Sequence, residues 1–173
     1  TEQDLLSVSE LFVFGNKAGE NEEAFKTYQK SFIKNDGTIQ RGDIDSLEDL
    51  TRLKNLRRVF LAYQEIGDIT PLSDLPSLES GDLHHNPVKD ITPLSRAASL
   101  TSLFIFDTQV SDLTALQSCP HLSTLDIGYT LVKSTAALDG LDSLQVLMIR
   151  KAPLQSLDHV ETHPLLEQVY LSE

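Results

Sequence analysis

Leu56, Leu78, Leu100, Leu122, Leu144 and Leu166 stand 22 residues apart without a slip. Two further columns keep the same step: Val59, Gly81, Leu103, Leu125, Leu147 and Val169, then Leu61, Leu83, Ile105, Ile127, Ile149 and Leu171. A fixed period in the twenties is the pattern of a repeat solenoid, in which each unit buries its apolar side only against its neighbours. No other feature limits the fold as much. It predicts one elongated domain over residues 1–173 and leaves function to whichever face the repeat does not constrain.

The segment from Leu56 to Ser77, LRRVFLAYQEIGDITPLSDLPS, serves as the reference unit. Its opening alternation predicts a short strand, with Val59 and Leu61 pointing inward and Phe60 outward. The remainder must turn back across the rear. There DITPL recurs at Asp68–Leu72 and Asp90–Leu94, with DLTAL at Asp112–Leu116. Asp suits a turn start and Pro a first turn, and so short a unit has room for a 3₁₀ turn only. Stepping back 22 residues, Gly37, Ile39, Ile44, Leu47, Leu50 and Leu53 take the places of Val59, Leu61, Ile66, Ile69, Leu72 and Leu75, which predicts a degenerate unit from residue 34. Further upstream, Val8, Leu11, Val13 and Asn16 repeat the spacing 48 residues before their counterparts rather than 44. This predicts an eighth strand. The additional residues fall in a helix over about 21–33, with Phe25, Tyr28, Phe32 and Ile33 near one face, Glu22 and Glu23 early and Lys30 late. That helix is read as replacing the short back of one unit.

These units, LxxLxxLxL followed by I-x-DITPL, resemble the 22-residue repeats of bacterial leucine-rich repeat proteins, those of the internalin type most of all. The resemblance covers residues 34–173 well and 5–33 less well. It implies an α/β repeat: a leucine-rich repeat solenoid with a parallel concave sheet of about eight short strands, 3₁₀ turns on the convex side and one helix near the N-terminus. It also implies protein binding in general, and a cell-surface or secreted setting. Several positions depart from the pattern. The turn asparagine survives at Asn16 and Asn86; Gln64, Thr108 and Thr130 are its expected substitutes, whereas Ala152 cannot bond the turn. Gly81 stands where a strand leucine or valine belongs, which predicts a local void. Ala97, Cys119 and His163 replace the leucine represented by Leu53, Leu75 and Leu141; Cys119 reads as a small buried apolar residue.

With 40% hydrophobic and 23% charged residues the chain is ordinary for a folded protein. Its formal charge of −12 argues against nucleic acid and anionic membrane surfaces as partners, since both would repel it. One cysteine cannot form an internal disulfide, and no apolar run is long enough to span a membrane. No signal peptide opens the sequence. A first residue of Thr and a last one inside a strand are read as marks of a piece of a longer chain. Nucleophile motifs, phosphate loops and paired acids at a pocket are absent, which points away from catalysis. No cofactor is implied. His84 and His85 flank Asp82, Asn86 and Asp107, but Asp82 and His84 alone are not a metal site, and no zinc-type spacing occurs. His121, His159 and His163 lie at or near unit turns and read as structural.

The outward strand positions define the concave face. Eight of the chain's seven Phe and four Tyr residues fall on it: Phe12, Phe14, Phe60, Tyr63, Phe104, Phe106, Tyr129 and Tyr170. Asp82, His84, Asp126, Met148 and Arg150 share it. The inward positions carry no aromatic residue. Aromatics grouped on an exposed face supply apolar area at small entropic cost and mark recognition patches; the alternative is that they stack as cross-strand pairs and stiffen the sheet. The expected function is therefore non-catalytic binding of a protein or peptide ligand through these thirteen residues. A structural spacer or assembly element, or a regulatory sensor segment, within a larger multidomain protein is the alternative.

Overall fold

Strict alternation with a repeated inward leucine makes every LxxLxL run a strand, because only one of its two faces can be buried against the next unit. In the computed structural model, which describes residues 2–34 and 39–171, the strands are β1 (Glu10–Phe14), β2 (Lys17–Gly19), β3 (Arg58–Ala62), β4 (Ser80–Asp82), β5 (Ser102–Phe104), β6 (Thr124–Asp126), β7 (Val146–Met148) and β8 (Gln168–Tyr170). They form one sheet in the order β2-β1-β3-β4-β5-β6-β7-β8. From β3 onward the register follows the sequence period: Arg58, Ser80, Ser102, Thr124, Val146 and Gln168 lie side by side. Behind the sheet lies the core, in which Leu56, Leu78, Leu100, Leu122 and Leu144 are fully buried.

Short 3₁₀ turns occupy the convex side at Glu48–Arg52, Thr70–Asp74, Thr92–Arg96, Thr114–Ser118, Ala136–Leu138 and Val160–Thr162. Asp68, Asp90 and Asp112 start three of them. Each carboxylate accepts the backbone N–H two residues on, at 2.7–2.8 Å from Thr70, Thr92 and Thr114. This is the Asx-turn bond, which offers the backbone a local partner before the turn closes. Hydrogen bonding from Thr70, Thr92 and Thr114 holds all three carboxyls below their ordinary range.

Buried amide and hydroxyl groups bridge the units on the other flank. Asn86 Nδ2 donates to the carbonyls of Leu61 (2.7 Å), Leu83 (3.0 Å) and His84 (3.3 Å), and its Oδ1 accepts from Ile66 N–H (3.1 Å). Gln64 substitutes as expected, donating to Gly15 (2.7 Å) and Ala62 (3.0 Å) carbonyls. Gly42 permits this close approach: a Cβ there would lie 2.0 Å from Gln64 Oε1. Thr108 and Thr130 each satisfy one carbonyl, of Ile105 and Ile127. Asn16 departs from the expectation. It is exposed, and its amide bonds the Gln40 side chain.

The N-terminal unit differs from the sequence reading in three ways. First, β1 pairs directly with β3, Glu10 opposite Arg58, so β1 fills the slot assigned to the Gly37–Ile39 strand. Gly37, with Asp36 and Thr38, lies outside the described residues, and Ile39 and Gln40 are not in a strand. Ile44, Leu47, Leu50 and Leu53 nevertheless pack on the core as predicted. Second, the eighth strand is β2, which runs antiparallel to β1 and covers its outer edge. Third, the helix α2 (Glu22–Lys34), preceded by a one-turn helix α1 (Glu2–Leu6), packs on the concave side rather than replacing a convex back. Asn21 caps it, its Oδ1 accepting Ala24 N–H at 2.9 Å. The convex side is already filled by the residues around Leu47 and Leu50, so the apolar face of α2 turns to the remaining apolar surface, the aromatics of β1 and β3.

At Gly81 an added Cβ would meet only Leu103 Cδ1, at 3.4 Å, so the strand has room for a methyl group. Gly81→Ala should raise the unfolding free energy by about 0.5–1 kcal/mol, through added burial and a less flexible unfolded chain. Chemical denaturation checks the sign; a loss of stability would show that the backbone exploits the missing side chain. Cys119 is fully buried, and burial pushes its thiol up to about 11. His163 is buried with Nδ1 3.3 Å from the Leu141 carbonyl, while its Nε2 has no partner, a cost a leucine would avoid.

Candidate ligand-binding face

The concave face divides into a closed and an open part. Phe12, Phe14 and Phe60 point outward from β1 and β3 as their alternation requires, yet all three are buried. Phe25 of α2, only 2% exposed, inserts among them with ring centroids 6.4, 5.5 and 5.4 Å away. Arg58 closes the margin. Its guanidinium lies over Phe12 (5.4 Å) and Phe60 (5.3 Å) and pairs with Glu10 (3.1 Å) and with Glu22. Hydrogen bonds from Lys26 and Arg58 hold the Glu22 carboxyl below its ordinary range. These three phenylalanines, predicted as partner-binding, are thus core residues under a helix of the same chain.

Beyond α2 the face opens into a groove of about 630 Å³. A ladder of rings crosses five units: Phe14 to Tyr63 (5.1 Å), Tyr63 stacked on His85 (4.0 Å), His85 to Phe106 (5.2 Å) and Phe106 to Tyr129 (4.9 Å). Tyr63, His85, Asp107, Tyr129 and Lys151 all have φ between 51 and 57°, as Gly15 does in β1's unit. That region is sparsely populated by residues with a Cβ and persists where surrounding bonds fix it. The fixing bonds are regular: Tyr63, His85, Asp107 and Tyr129 N–H groups donate to the carbonyls of His84, Phe106, Gly128 and Arg150 in the next unit. The rings thus stack across strands, and the same rings line the groove.

Polar groups sit among the rings. Asp82 Oδ1 accepts His84 N–H at 3.2 Å and also contacts His84 Nδ1. Asp126 Oδ1 accepts Gly128 N–H at 2.9 Å, while its Oδ2 lies 3.4 Å from Arg150. Arg150 in turn lies over Phe106, 5.2 Å from its centroid. His85 pairs with Asp107. Burial raises the Asp126 carboxyl, opposed by the Gly128 N–H and Arg150. Burial, then His84, lowers His85, opposed by its pairing with Asp107. Burial and then Asp107 push the Tyr63 hydroxyl up to about 12, so it stays protonated.

Eight of the thirteen candidates therefore meet in the groove: Tyr63, Asp82, His84, Phe104, Phe106, Asp126, Tyr129 and Arg150. Asp82, His84 and Asp126 are buried side chains in its floor rather than exposed ones. Phe14 touches the margin. Met148 and Tyr170 lie in register with Asp126 on β7 and β8, outside the groove lining, with Tyr170 48% exposed. His85, Asp107 and Gln29 join the groove without having been among the candidates. The period places Asp107 in the column of Tyr63 and Tyr129, and Gln29 follows Phe25 by one helical turn. Among the described residues, no three His, Cys, Asp or Glu side chains come together as a metal set, and no helix is long and apolar enough to cross a membrane.

No protein-family model matches the sequence, and no curated protein matches it. Among solved structures the chain is similar to internalin F of Listeria monocytogenes, with a TM-score of 0.71 and 23% identity over 77% of this chain and 41% of that one. It is also similar to internalin C2 of the same organism (TM-score 0.58, 17% identity, 99% and 84% covered). A third is a leucine-rich repeat protein of Leptospira interrogans (TM-score 0.65, 17% identity, 76% and 35% covered). The chain spans about two fifths of internalin F and about a third of the Leptospira protein. The fold is that of these bacterial leucine-rich repeat proteins.

Proposed function

We propose that this leucine-rich repeat solenoid is a non-catalytic interaction module that holds a protein or peptide on the open part of its concave face, from Tyr63 to Tyr170. The observation that carries the reading is the division of the aromatic surface. The chain covers Phe12, Phe14 and Phe60 with its own helix and leaves Phe104, Phe106 and Tyr129 lining a groove. Rings held by a rigid sheet offer contact area with little entropy left to lose, the property of binding hot spots. The curved fold shared with the internalins supports it in one respect: six consecutive strands present one continuous face.

Peptides selected from a random display library on the intact chain supply the probe. In the Phe104→Ala/Phe106→Ala variant their affinity should fall at least tenfold, about 1.4 kcal/mol, with the circular dichroism spectrum retained. Arg96→Ala, on a convex turn, should leave binding unchanged. Selected peptides that ignore the phenylalanine changes and depend on Arg96 would place recognition on the other side and end the proposal.

A further inference from the structure

We infer that the open groove is shaped for a basic protein segment, with an arginine or lysine side chain of the partner seated over Phe104 between Asp82 and Asp126. The inference rests on the concave-face reading above and names the chemistry of its partner.

The strand register places Asp82, Phe104 and Asp126 side by side on β4, β5 and β6. Neighbouring strands are ~4.8 Å apart, so the two carboxylate positions stand about 10 Å apart with the ring between them. That span leaves a guanidinium or ammonium group lying on the ring about 5 Å from each acid position, near enough to be attracted by both and to pair with either. Both carboxylates are buried, and each commits Oδ1 to the backbone N–H two residues on, that of Asp82 also contacting the His84 ring, while their Oδ2 atoms are left for a cation. Those bonds aim the groups without neutralising them. A buried carboxylate calls for a paired cation, and Asp126 Oδ2 has only the long approach of Arg150, a half-exposed side chain that rests on Phe106 instead. Gly128 keeps the next position on the floor clear: a Cβ there would lie 2.9 Å from the Phe106 ring and 3.1 Å from Asp126 Oδ1.

Charge selects among occupants. Asp82, Asp107 and Asp126 line the groove against one permanent cation, Arg150, in a chain of formal charge −12. An acidic segment would meet three carboxylates. A purely apolar one would seal Asp82 and Asp126 from water with only the His84 ring and the long Arg150 contact set against their charge. A cationic side chain gains from the ring face and from both acids, and electrostatic steering would speed its approach.

The probes are a pentapeptide, acetyl-Gly-Arg-Gly-Arg-Gly-amide, and its citrulline and glutamate counterparts, which keep the length and change only the charge. Each is titrated into the intact ¹⁵N-labelled chain while amide shifts are followed. The arginine peptide should shift the amides of residues 103–106 and 126–128 saturably, and the other two should not. Asp82→Asn/Asp126→Asn keeps an oxygen for each backbone N–H and should weaken the arginine peptide at least tenfold. Equal shifts from the citrulline peptide, shifts centred on the convex Asp68, Asp90 and Asp112, or no shifts at all would overturn the inference. The concave-face reading is separable. Display-selected peptides that need Phe104 and Phe106, lack basic residues and bind the asparagine variant normally would sink the basic partner alone. Peptides indifferent to both sets of changes would remove the concave-face reading as well.

Discussion

Phe25→Ala should lower the unfolding free energy by about 3–5 kcal/mol, the usual cost of truncating a buried phenylalanine. Phe25 reaches Phe12, Phe14 and Phe60 together, and its ring also lies 6.3 Å from His84. With alanine there, α2 retains Tyr28, the Glu22–Arg58 pair and its Asn21 cap. An ion pair still partly open to solvent and a helix cap contribute about 1 kcal/mol each and cannot replace the ring. Because a solenoid is stabilised by neighbour contacts, the damage should stay local. Amide exchange should speed up across 22–34 while the amides of β5 to β7 remain protected. Release of α2 would also bare three phenylalanines and raise the binding of a hydrophobic dye. Phe25→Leu, which refills most of the volume, should recover more than half of the loss. If alanine costs under 1 kcal/mol and the helix amides stay protected, α2 is held by other contacts and the closed part of the face has been misassigned.

That prediction rests on the feature least legible in the sequence. The regular strands could be read because each carries two inward apolar residues at a fixed step, and the register of Arg58, Ser80, Ser102 and Thr124 reproduces that step. The turns could be read because Asp68, Asp90 and Asp112 announce them. The strand slot beside β3 was harder. Two segments, 8–13 and 37–39, both fit the period, and one slot holds one strand. Val8, Leu11 and Val13 give three inward contacts, and Phe12 adds an edge-on ring pair with Phe60 at 5.1 Å. A glycine with one isoleucine offers less to the core. The side taken by α2 was not legible for a further reason. An outward aromatic stripe looks the same whether it waits for a partner or receives a helix of its own chain. Two unpartnered apolar faces, Phe25 with Tyr28 and Phe12 with Phe14 and Phe60, were the signal, and pairing them would have located the helix. The open groove followed from the columns, except for the burial of Asp82, His84 and Asp126. Their partners Phe14, Tyr63 and Arg150 lie in other units, and a list of positions carries no depth.

The second large effect falls at Asn86. Its amide serves the Leu61, Leu83 and His84 carbonyls and the Ile66 N–H, joining two units through one buried side chain. Asn86→Ala removes all four bonds; the His84 carbonyl keeps the Tyr63 N–H, but the Leu61 and Leu83 carbonyls and the Ile66 N–H lose the side chain that served them. Each buried orphan costs about 1–3 kcal/mol, and some relaxation is expected, so the loss should be about 3–5 kcal/mol. Thr108 supplies an internal standard. It holds the equivalent position one unit on and makes one bond, to the Ile105 carbonyl at 2.7 Å. Thr108→Val keeps the shape and should cost about 1 kcal/mol. Asn86→Thr should fall between these values, since a hydroxyl can satisfy the Leu83 carbonyl as Thr108 and Thr130 satisfy theirs, but cannot span to Leu61 and Ile66. Urea unfolding of the three variants measures the order Asn86→Ala, Asn86→Thr, Thr108→Val from most to least destabilised. A reversed or flat series would mean that hydrogen bonds between units do not set the strength of this flank and that leucine packing alone carries it.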